Sequence, residues 1–483
     1  MAEAQMAGSH YESDGQGDAE KLLINFYPEF TGADPSRSLR LVNTPGSRII
    51  DDGTTLSGVV RGMTRKDGYL SGDLAFVDGT TFRRYNPSTD SFSTLTGTVA
   101  GSDRVQFAIA QAEGGLVGNG DFYVTTDSAV AAASDGDWAT LLSDHGQTAF
   151  TSITAFGQRA ILTYGARIAY SEAVDFNNTT TLNWYTAESD PDDLVCTVAI
   201  GNILWLCGTE SMEPWIETGD NDVPLTPISG GADARCLAFR DSVVKLDGSF
   251  AFIADDLTVR VMRNRNPEIL GEKETWVTRL LEGVSDLSTV YCYAHLTEGH
   301  TFYVINAPSF CIAYDFATQQ WTKRETKDEN TWEWGFLIKD KAKIYAGSRL
   351  GAKLVELSRD YKSDDQPDAS TVGTYIERTF TAHLPSAQTG FDVESIRLEG
   401  TKGVGLASGA SGDTDPEVTL YISRNKGISY DTGRSVPLGA IGEYETDSSW
   451  FMNGGLKPEM TVLKFVVSAA VNFLPSRVAI NEL

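Results

Sequence analysis

Short alternating runs of apolar and polar residues recur along most of the chain. They are rich in Val, Ile, Thr, Tyr and Phe, they are separated by Gly, Asp and Asn, and long amphipathic helix patterns are scarce. Alternation with a period of two places every second side chain on one face of a strand, and the separating residues favour tight turns. The pattern therefore predicts an all-β protein.

Seven turns share one layout, in which a turn residue lies between two apolar runs. Their centres are Asp78, Asn119, Gly157, Gly201, Asp247, Gly299 and Asp340. Successive centres lie about 40 residues apart, a spacing typical of propeller blades, whose four short strands bury their faces only by stacking on neighbouring blades. The spacing predicts a six- or seven-bladed β-propeller over residues 53–361.

The clearest predicted blade covers residues 290–324. In it TFYVIN leads into FCIAYDFATQQWTKRE, and Asp315 with the turn at Thr318-Gln319 separates the last two strands. Trp321 follows this turn, and a large aromatic side chain at such a position normally packs in a core. We therefore interpret Trp321 as a core residue.

The segments outside the predicted propeller differ in composition. Residues 1–21 form a polar N-terminal arm that should not fold alone, so this chain or a neighbouring subunit must hold it, and residues 22–52 form an N-terminal strand segment. Residues 362–372 are polar, acidic and contain a proline, as expected of a linker. Residues 373–483 alternate by twos again and predict a C-terminal β-sandwich-like domain.

Composition narrows the class of protein. The chain has 483 residues, of which 41% are hydrophobic and 22% charged, as in a globular protein with a sizeable core and two large units. No apolar run is long enough for a membrane-spanning helix, and the acidic start contains no apolar signal segment. We expect synthesis in a host cytoplasm and no stable membrane insertion.

Charge and cysteine content argue against two further classes. The 39 basic and 66 acidic residues give a net charge of −27, the opposite of the basic footprint that grips nucleic-acid phosphates. The five cysteines are widely spaced and form no C-x-x-C pair, which argues against a zinc site or a disulfide scaffold. If DNA meets this protein, we expect transient passage without specific binding.

A search for catalytic motifs finds almost nothing. The five histidines include no H-E-x-x-H, and His295, Glu298 and His300 lie across one turn with no further ligand nearby. No G-x-x-x-x-G-K-[ST] or G-x-S-x-G motif occurs, and Gly403-Val404-Gly405 opens no helix. We therefore predict no catalytic, cofactor-binding or metal-binding residues, and no cofactor.

Two features keep a second class of function open, a propeller glycan hydrolase or a carbohydrate-binding protein. The segment from Ser423 to Tyr430 is a degenerate form of the S-x-D-x-G-x-[ST]-[WF] turn of sialidases, which is structural there as well. Glycoside cleavage needs two carboxyl groups about 5 to 9 Å apart. The acidic candidates are Asp190, Asp192, Asp193, Asp364, Asp365 and Asp368. On so acidic a chain we interpret their loops as solvated surface.

Several segments occur in one order along the chain. They are NFYPE from Asn25 with LRLVNTPG from Leu39, WYTAE from Trp184 with GTESMEPW from Gly208, AYDFATQQWTKR from Ala313, and VTLYISRNKGISYDTGR from Val418 with the strands from Leu463. Together they resemble the tail hub or nozzle family of P22-like short-tailed phages, often labelled packaged-DNA stabilisation proteins. Pro214 departs from the family pattern, which has a β-forming residue there, so we expect a distorted blade edge.

The resemblance implies a non-enzymatic virion protein of the phage tail. Under the alternative class, the chain would be a tail protein that cleaves or binds a glycan of the host envelope. The resemblance also implies a subunit of a hexameric ring below the portal and its adaptor ring, which closes the genome channel and conducts DNA during ejection. Such hubs also carry tail fibres or spikes and meet a plug or needle that retains the genome. Composition and periodicity alone imply none of these partners.

Overall fold

Strands dominate the computed structural model, with 50% of the residues in strands and 7% in helices. The structure describes residues 2–12, 19–30, 39–51, 53–187, 192–220, 223–230, 235–271, 275–368, 371–384, 391–409, 411–451 and 455–482. The chain divides into two compact units. Unit 1 comprises Met1–Ile49, Leu296–Glu333 and Val355–Leu483, and unit 2 comprises Ile50–His295 and Trp334–Leu354. The predicted all-β class is confirmed.

Six four-stranded sheets among the described residues form a six-bladed β-propeller arrangement, as the spacing of the turns predicts. Blade 1 contains Val60–Thr64, Leu74–Asp78, Thr81–Asn86 and Ser91–Thr98; blade 2 Gln106–Ala110, Glu113–Gly118, Asp121–Thr125 and Val130–Ala132; blade 3 Ser152–Phe156, Arg159–Tyr164, Arg167–Tyr170 and Trp184–Thr186. Blade 4 contains Leu194–Ile200, Ile203–Gly208, Met212–Glu217 and Leu225–Pro227; blade 5 Val244–Leu246, Ser249–Ile253, Val259–Arg263 and Asn266–Ile269; blade 6 Trp334–Asp340, Lys343–Ser348, Leu354–Ser358 and Gly46–Ile49.

A further run of four strands precedes blade 6 in the sequence and belongs to a 14-stranded sheet. These strands are Tyr291–Thr297, His300–Asn306, Cys311–Asp315 and Gln320–Lys323. They cover the blade predicted for residues 290–324. In unit 1 the last of them is followed in the sheet by Leu23–Ile24, which runs parallel to it through the pair Ile24 and Lys323. The strand after the Asp315 turn is therefore not an open edge.

All seven predicted turns lie between consecutive strands. The turn of blade 2 shows how the sequence determines the conformation of such a turn. Gly118 is opposite Asp121, and the two residues between them, Asn119 and Gly120, have positive φ values of 54° and 83°. An Asn-Gly pair adopts this conformation at little cost, and its twist matches that of the flanking strands.

The apolar side chains of unit 2 fill the spaces between neighbouring blades. Val77 and Phe82 of blade 1 share one cluster with Leu116 and Tyr123 of blade 2. Further clusters join blades 2 and 3, blades 3 and 4, blades 4 and 5, and blades 6 and 1. A four-stranded sheet exposes two faces, and each blade therefore depends on its neighbours for burial.

The helical segments are short. They are Leu70–Gly72, Gly136–Asp144, Arg240–Ser242, Thr275–Glu282, Leu287–Thr289 and Ser411–Thr414. Asp135 caps the second of them by accepting a hydrogen bond from Asp137 N, and this helix buries Trp138 and Leu141. Among the described residues, no helix has the length and apolar character needed to cross a membrane.

Two groups of strands in unit 1 share one apolar core, which supports the predicted sandwich-like C-terminal domain. The strands of this unit outside the propeller and its preceding run are Ala2–Met6, Leu23–Ile24, Phe26–Phe30, Leu39–Asn43, Ser363–Asp364, Thr374–Tyr375, Glu377–His383, Phe391–Gly400, Glu417–Ser423, Arg434–Pro437, Ser449–Phe451, Gly455–Leu456, Val462–Ser468 and Pro475–Glu482. Ile396 and Ile480 come from one group, Phe380 and Phe465 from the other, and all four lie in one cluster. Side chains of two sheets that meet in this way form a sandwich core.

The N-terminal arm supplies a strand to this sandwich. Ala2–Met6 pairs with Pro475–Glu482 along one part and with Glu377–His383 along the other, and Ala4 and Met6 enter the shared core. His10 is fully buried, its backbone N–H donates to Trp321 O at 2.7 Å, and its Nδ1 accepts from Leu23 N at 3.2 Å. The arm is therefore held by its own chain. Residues 13–18 of it lie outside the described residues.

The segment predicted as a linker is partly built into unit 1. Ser363–Asp364 pairs with Thr374–Tyr375, and Asp364 is buried against Ser47 Oγ. Residues 369–370 of the segment lie outside the described residues. The N-terminal strands Ala2–Met6 and Leu23–Ile24 pair with strands of the C-terminal sandwich. The boundaries at residues 21, 52, 361 and 372 stay predictions.

Candidate functional site

The turn at Asp315 is built from hydrogen bonds to one buried carboxylate. Asp315 accepts from Ala317 N at 2.9 Å and Thr318 Oγ1 at 2.7 Å, and its other contact is His300 Nδ1 at 2.7 Å. This hydrogen bond raises the pKa of His300. His300 thus stabilises a turn through Asp315.

Trp321 and Arg324 fill the interior behind the same turn. Trp321 is 1% exposed and its ring lies 5.1 Å from that of Tyr314, as expected of a core residue. Arg324 is fully buried, with its guanidinium 4.6 Å from the ring of Phe302 and 4.7 Å from that of Trp332. A guanidinium between two aromatic faces gains cation–π attraction, and its burial costs less than that of an ammonium group because it is more weakly hydrated. The segment from Ala313 to Arg324 is a packing motif.

The segment from Gly208 to Trp215 is organised around Asp192. Asp192 Oδ2 accepts from Glu210 N at 2.7 Å and from Ser211 N at 3.2 Å, and a Cβ atom on Gly208 would lie 2.1 Å from that oxygen. Only glycine leaves room for the carboxylate at this position. Trp215 Nε1 in turn donates to Glu213 at 3.0 Å.

The solvated-surface interpretation is wrong for two of the candidate glycosidase carboxylates. Asp192 is buried because it holds the Gly208 turn, and Asp364 is buried against Ser47. Asp368 is exposed and accepts from Thr371 N and Oγ1 at 2.8 Å. Asp190 lies outside the described residues.

The sialidase-like turn uses its own side chains. Gly427 N donates to Ser423 Oγ at 2.9 Å, and Asn425 exchanges two hydrogen bonds with Ser429, each at 2.9 Å. These contacts close the turn, as the structural interpretation expects. The backbone N–H groups of Gly403 and Gly405 donate to Leu438 O and Gly439 O, so they are not aimed at a phosphate.

One pair of residues that sequence patterns do not reveal resembles a serine–lysine dyad. Lys402 Nζ bonds to Ser448 Oγ, and burial lowers the pKa of Lys402 to about 8. Ser448 is 1% exposed and donates its own proton to Pro437 O at 2.7 Å. A nucleophile must reach its substrate, and this hydroxyl does not. The pair fastens two loops of the sandwich.

A polar recess of about 500 Å³ lies in unit 2. Its lining residues are Gln111, Gly157, Gln158, Arg159, Ala173, Glu217, Gly219, Asp220 and Pro224. Two carboxylates are among them, and none of these nine side chains is aromatic. Among the described residues, no group of three or more His, Cys, Asp and Glu side chains is placed to hold a metal ion.

The first strands of blades 2, 3 and 4 lie side by side, and side chains meet next to them in unit 2. Arg104 contacts Asp241 Oδ2 at 3.3 Å and donates to Val290 O at 2.5 Å and to Ser288 O. Gln106 donates to the other Asp241 oxygen at 3.4 Å, and Arg240 donates to Thr151 O at 3.0 Å. We call Arg104, Gln106, Arg240 and Asp241 the axis network. It joins blade 2, the start of blade 3 and the segments that flank blade 5.

The sequence matches the model of a protein family described as "Bacteriophage P22 Gp10, beta-propeller" over residues 6–362. The chain belongs to this family. The resemblance seen in the sequence is confirmed, and membership makes the chain a phage structural protein. The match ends before the C-terminal sandwich, so the resemblance of the segments after Val418 stays a prediction.

No curated protein matches the chain in sequence. Solved structures with a similar trace include BamB from Moraxella catarrhalis, with a TM-score of 0.38 and 10% identity over 71% of this chain and 97% of that one. The β-propeller domain of Cps50 (Swd1) from Myceliophteria thermophila has a TM-score of 0.41 and 10% identity, covering 65% and 99%. The designed Ika8 protein has a TM-score of 0.37 and 12% identity, covering 73% and 100%. Likenesses this weak carry no argument about function.

The one departure from the family pattern, Pro214, leaves its blade regular. Pro214 is buried opposite Trp205, and the pairing of its strand with Ile203–Gly208 has no register shift. The Pro214 carbonyl accepts from Ile228 N at 2.9 Å, immediately beyond the last strand of the blade. The missing N–H therefore falls at the end of the ladder, and the expected distortion of the blade edge is wrong.

Proposed function

We propose that this chain is the tail hub or nozzle subunit of a short-tailed phage. Its copies form a hexameric ring below the portal and adaptor, which closes the genome channel, conducts DNA during ejection and anchors fibres or spikes. The match to the phage propeller family over residues 6–362 carries this proposal. A plug or needle that retains the genome would dock on the same ring.

Arg104 and Gln106 lie at the start of blade 2 and Asp241 precedes blade 5, so the axis network joins two blades that are not neighbours. Such a contact favours a channel between subunits over one along a propeller axis. Contacts of 3.3 and 3.4 Å join Asp241 to Arg104 and Gln106. A B-form duplex is much wider than such contacts allow, since its major groove alone is about 12 Å wide. DNA that passes this protein therefore needs an opening made by several copies.

The proposed role needs no turnover. The buried carboxylates Asp192, Asp315 and Asp364 each accept hydrogen bonds from neighbouring turns or strands, and none has the open, paired arrangement of a glycosidase. Release of reducing sugar from host polysaccharide by the purified chain, with loss of that activity in Glu217→Gln, would contradict a purely structural role. Glu217 is the matched choice because it lines the polar recess.

Mass measurement of the assembled protein tests the ring. Light scattering and native mass spectrometry should give a closed multiple of the 52.4 kDa chain, six in the proposed form, and images of virions should show this mass below the portal. A chain that stays monomeric at every concentration and is absent from purified tails would overturn the proposal.

A further inference from the structure

Two cysteines face each other across the first hairpin of blade 4. Cys196 on Leu194–Ile200 is directly opposite Cys207 on Ile203–Gly208. Both side chains point into the same apolar cluster, with exposures of 3% and 0%, and the two thiols hydrogen bond to each other. Their side chains are therefore neighbours on one face of the hairpin.

The backbone spacing of such a pair suits a covalent bond. Residues directly opposed in antiparallel strands have Cα atoms about 4.5 to 5.5 Å apart. Disulfides span Cα separations of about 4.4 to 6.8 Å. The hairpin therefore needs no large backbone movement to accommodate an S–S bond between Cys196 and Cys207.

We propose that Cys196 and Cys207 form a cross-strand disulfide when the folded protein meets a low-molecular-weight disulfide such as oxidised glutathione. One cysteine thiolate attacks the glutathione disulfide, forms a mixed disulfide and releases one glutathione thiolate. The second cysteine thiolate attacks the protein sulfur of that intermediate and releases the second glutathione. Two cysteine thiols are oxidised, one glutathione disulfide is reduced to two thiols, and the two cysteine protons are taken up by the leaving thiolates.

Burial makes this reaction slow in the closed hairpin. The hydrogen bond to Cys196 and burial raise the pKa of Cys207, so the reactive thiolate is scarce. Attack therefore proceeds through local opening of the hairpin, after which the thiols have ordinary acidity. The pair stays reduced during synthesis in a reducing cytoplasm and becomes oxidised slowly outside it.

Cys311 provides a matched comparison. It is also fully buried and lies in a hairpin, but the residue opposite it is Asn306. Burial and a place in a hairpin are thus shared with Cys207, whereas the residue directly opposite Cys311 is an asparagine and not a cysteine. Cys311 should stay a thiol under conditions that oxidise the blade 4 pair.

Peptide mapping of the intact protein tests this inference. The reduced protein is incubated with oxidised glutathione, remaining thiols are alkylated, and peptides are analysed without reduction. We expect one linked peptide pair that contains Cys196 and Cys207. Below a thiol pKa of about 8.5, the rate at which this pair forms should rise about tenfold for each unit by which the pH is raised. A low concentration of urea should raise the rate further. Reduction with dithiothreitol should restore two alkylatable thiols.

Three variants complete the test. Cys196→Ser and Cys207→Ser should each abolish the linked pair, and Cys311→Ser should leave it unchanged. A serine at a buried site can unfold the blade. The peptide map of the protein without substitutions therefore tests the proposal independently of the variants. A stable glutathione adduct on Cys196 or Cys207, a bond to another cysteine, or two intact thiols in the oxidised, urea-treated protein would each overturn the proposal.

Discussion

Buried carboxylates show how this chain uses single polar residues. Asp315 is satisfied by a backbone N–H, a hydroxyl and His300. Asp364 is 4% exposed and accepts from Ser47 Oγ at 3.1 Å, and burial raises its pKa from 3.8 to about 7. Sequence alone does not separate Asp364 from a solvated aspartate, because Ser47, which donates a hydrogen bond to it, lies 317 positions away in the chain. The charge of the buried Asp364 is therefore unfavourable at neutral pH.

Replacing Asp364 should stabilise the protein above neutral pH. A carboxyl group with a raised folded-state pKa contributes stability that is fully present below pH 3.8 and is lost as the pH rises through about 7. Asp364→Asn removes this loss. We therefore expect the free energy of unfolding at pH 8 to be higher by on the order of a few kcal/mol, and its dependence on pH to be flatter. Asp368→Asn is the control in the same segment, because Asp368 is exposed. Equal pH profiles for the parent and Asp364→Asn would contradict the prediction.

The Gly208 turn makes a second prediction at the scale of one atom. Gly208→Ala places a methyl group against Asp192 Oδ2, so either the carboxylate or the turn must move. We expect a loss of about 1 to 3 kcal/mol in the free energy of unfolding, measured by urea denaturation. Gly136→Ala is the matched control, since nothing lies within 4 Å of a Cβ there. If Gly208→Ala and Gly136→Ala have the same free energy of unfolding, the turn accommodates the methyl group without loss of stability and the prediction is wrong.

At the scale of elements, the hairpins were predictable because their turn residues are local in sequence. Pairings between strands far apart in the chain were not predictable. The turns at Asp78 and Asn119 join second and third strands of their blades, whereas those at Gly157, Gly201 and Asp247 join first and second strands. The period of about 40 residues was therefore measured between different hairpins, yet it still identified the blades. Ala2–Met6 was missed as a strand. Its three apolar residues, Ala2, Ala4 and Met6, alternate with Glu3 and Gln5 over only five positions, and its partners lie near the other end of the chain.

Placing an aspartate on either face of the first strand should show whether Ala2–Met6 is part of the folded sandwich. Met6 is buried in the sandwich core and Gln5 is exposed. Met6→Asp should lower the free energy of unfolding by about 3 kcal/mol or more, because a carboxylate enters the core, and Gln5→Asp should change it by less than about 0.5 kcal/mol. Denaturant titration checks both variants. If Met6→Asp behaves like Gln5→Asp, the arm does not complete the sandwich in solution.

For the whole molecule, periodicity predicted a propeller and the order of short motifs predicted the family, which the match over residues 6–362 confirms. The axis network could not be predicted. Arg104 and Asp241 lie 137 positions apart, and only the stacking of blades brings their side chains to 3.3 Å. Turn and strand signals are local, whereas contacts between blades depend on the complete arrangement.

The final prediction concerns the passage of DNA and joins charge with the axis network. Each chain carries −27, so the proposed ring of six copies would be strongly acidic, and we expect the wall of its channel to be acidic as well. Duplex DNA carries one negative charge per ~1.7 Å, and a basic wall would bind it through counterion release. Lysine in place of channel-facing Asp and Glu should therefore slow genome ejection at low salt, and the slowing should fade as salt shortens the Debye length below ~8 Å.

Arg104→Ala is the control away from the channel. It should make unit 2 less stable in urea, because Arg104 contacts Asp241 and Val290, while the rate of ejection stays at the parent value. A changed ejection rate in folded Arg104→Ala virions would place DNA beside the propeller axis, and lysine variants that eject normally at every ionic strength would remove any role for the acidic wall.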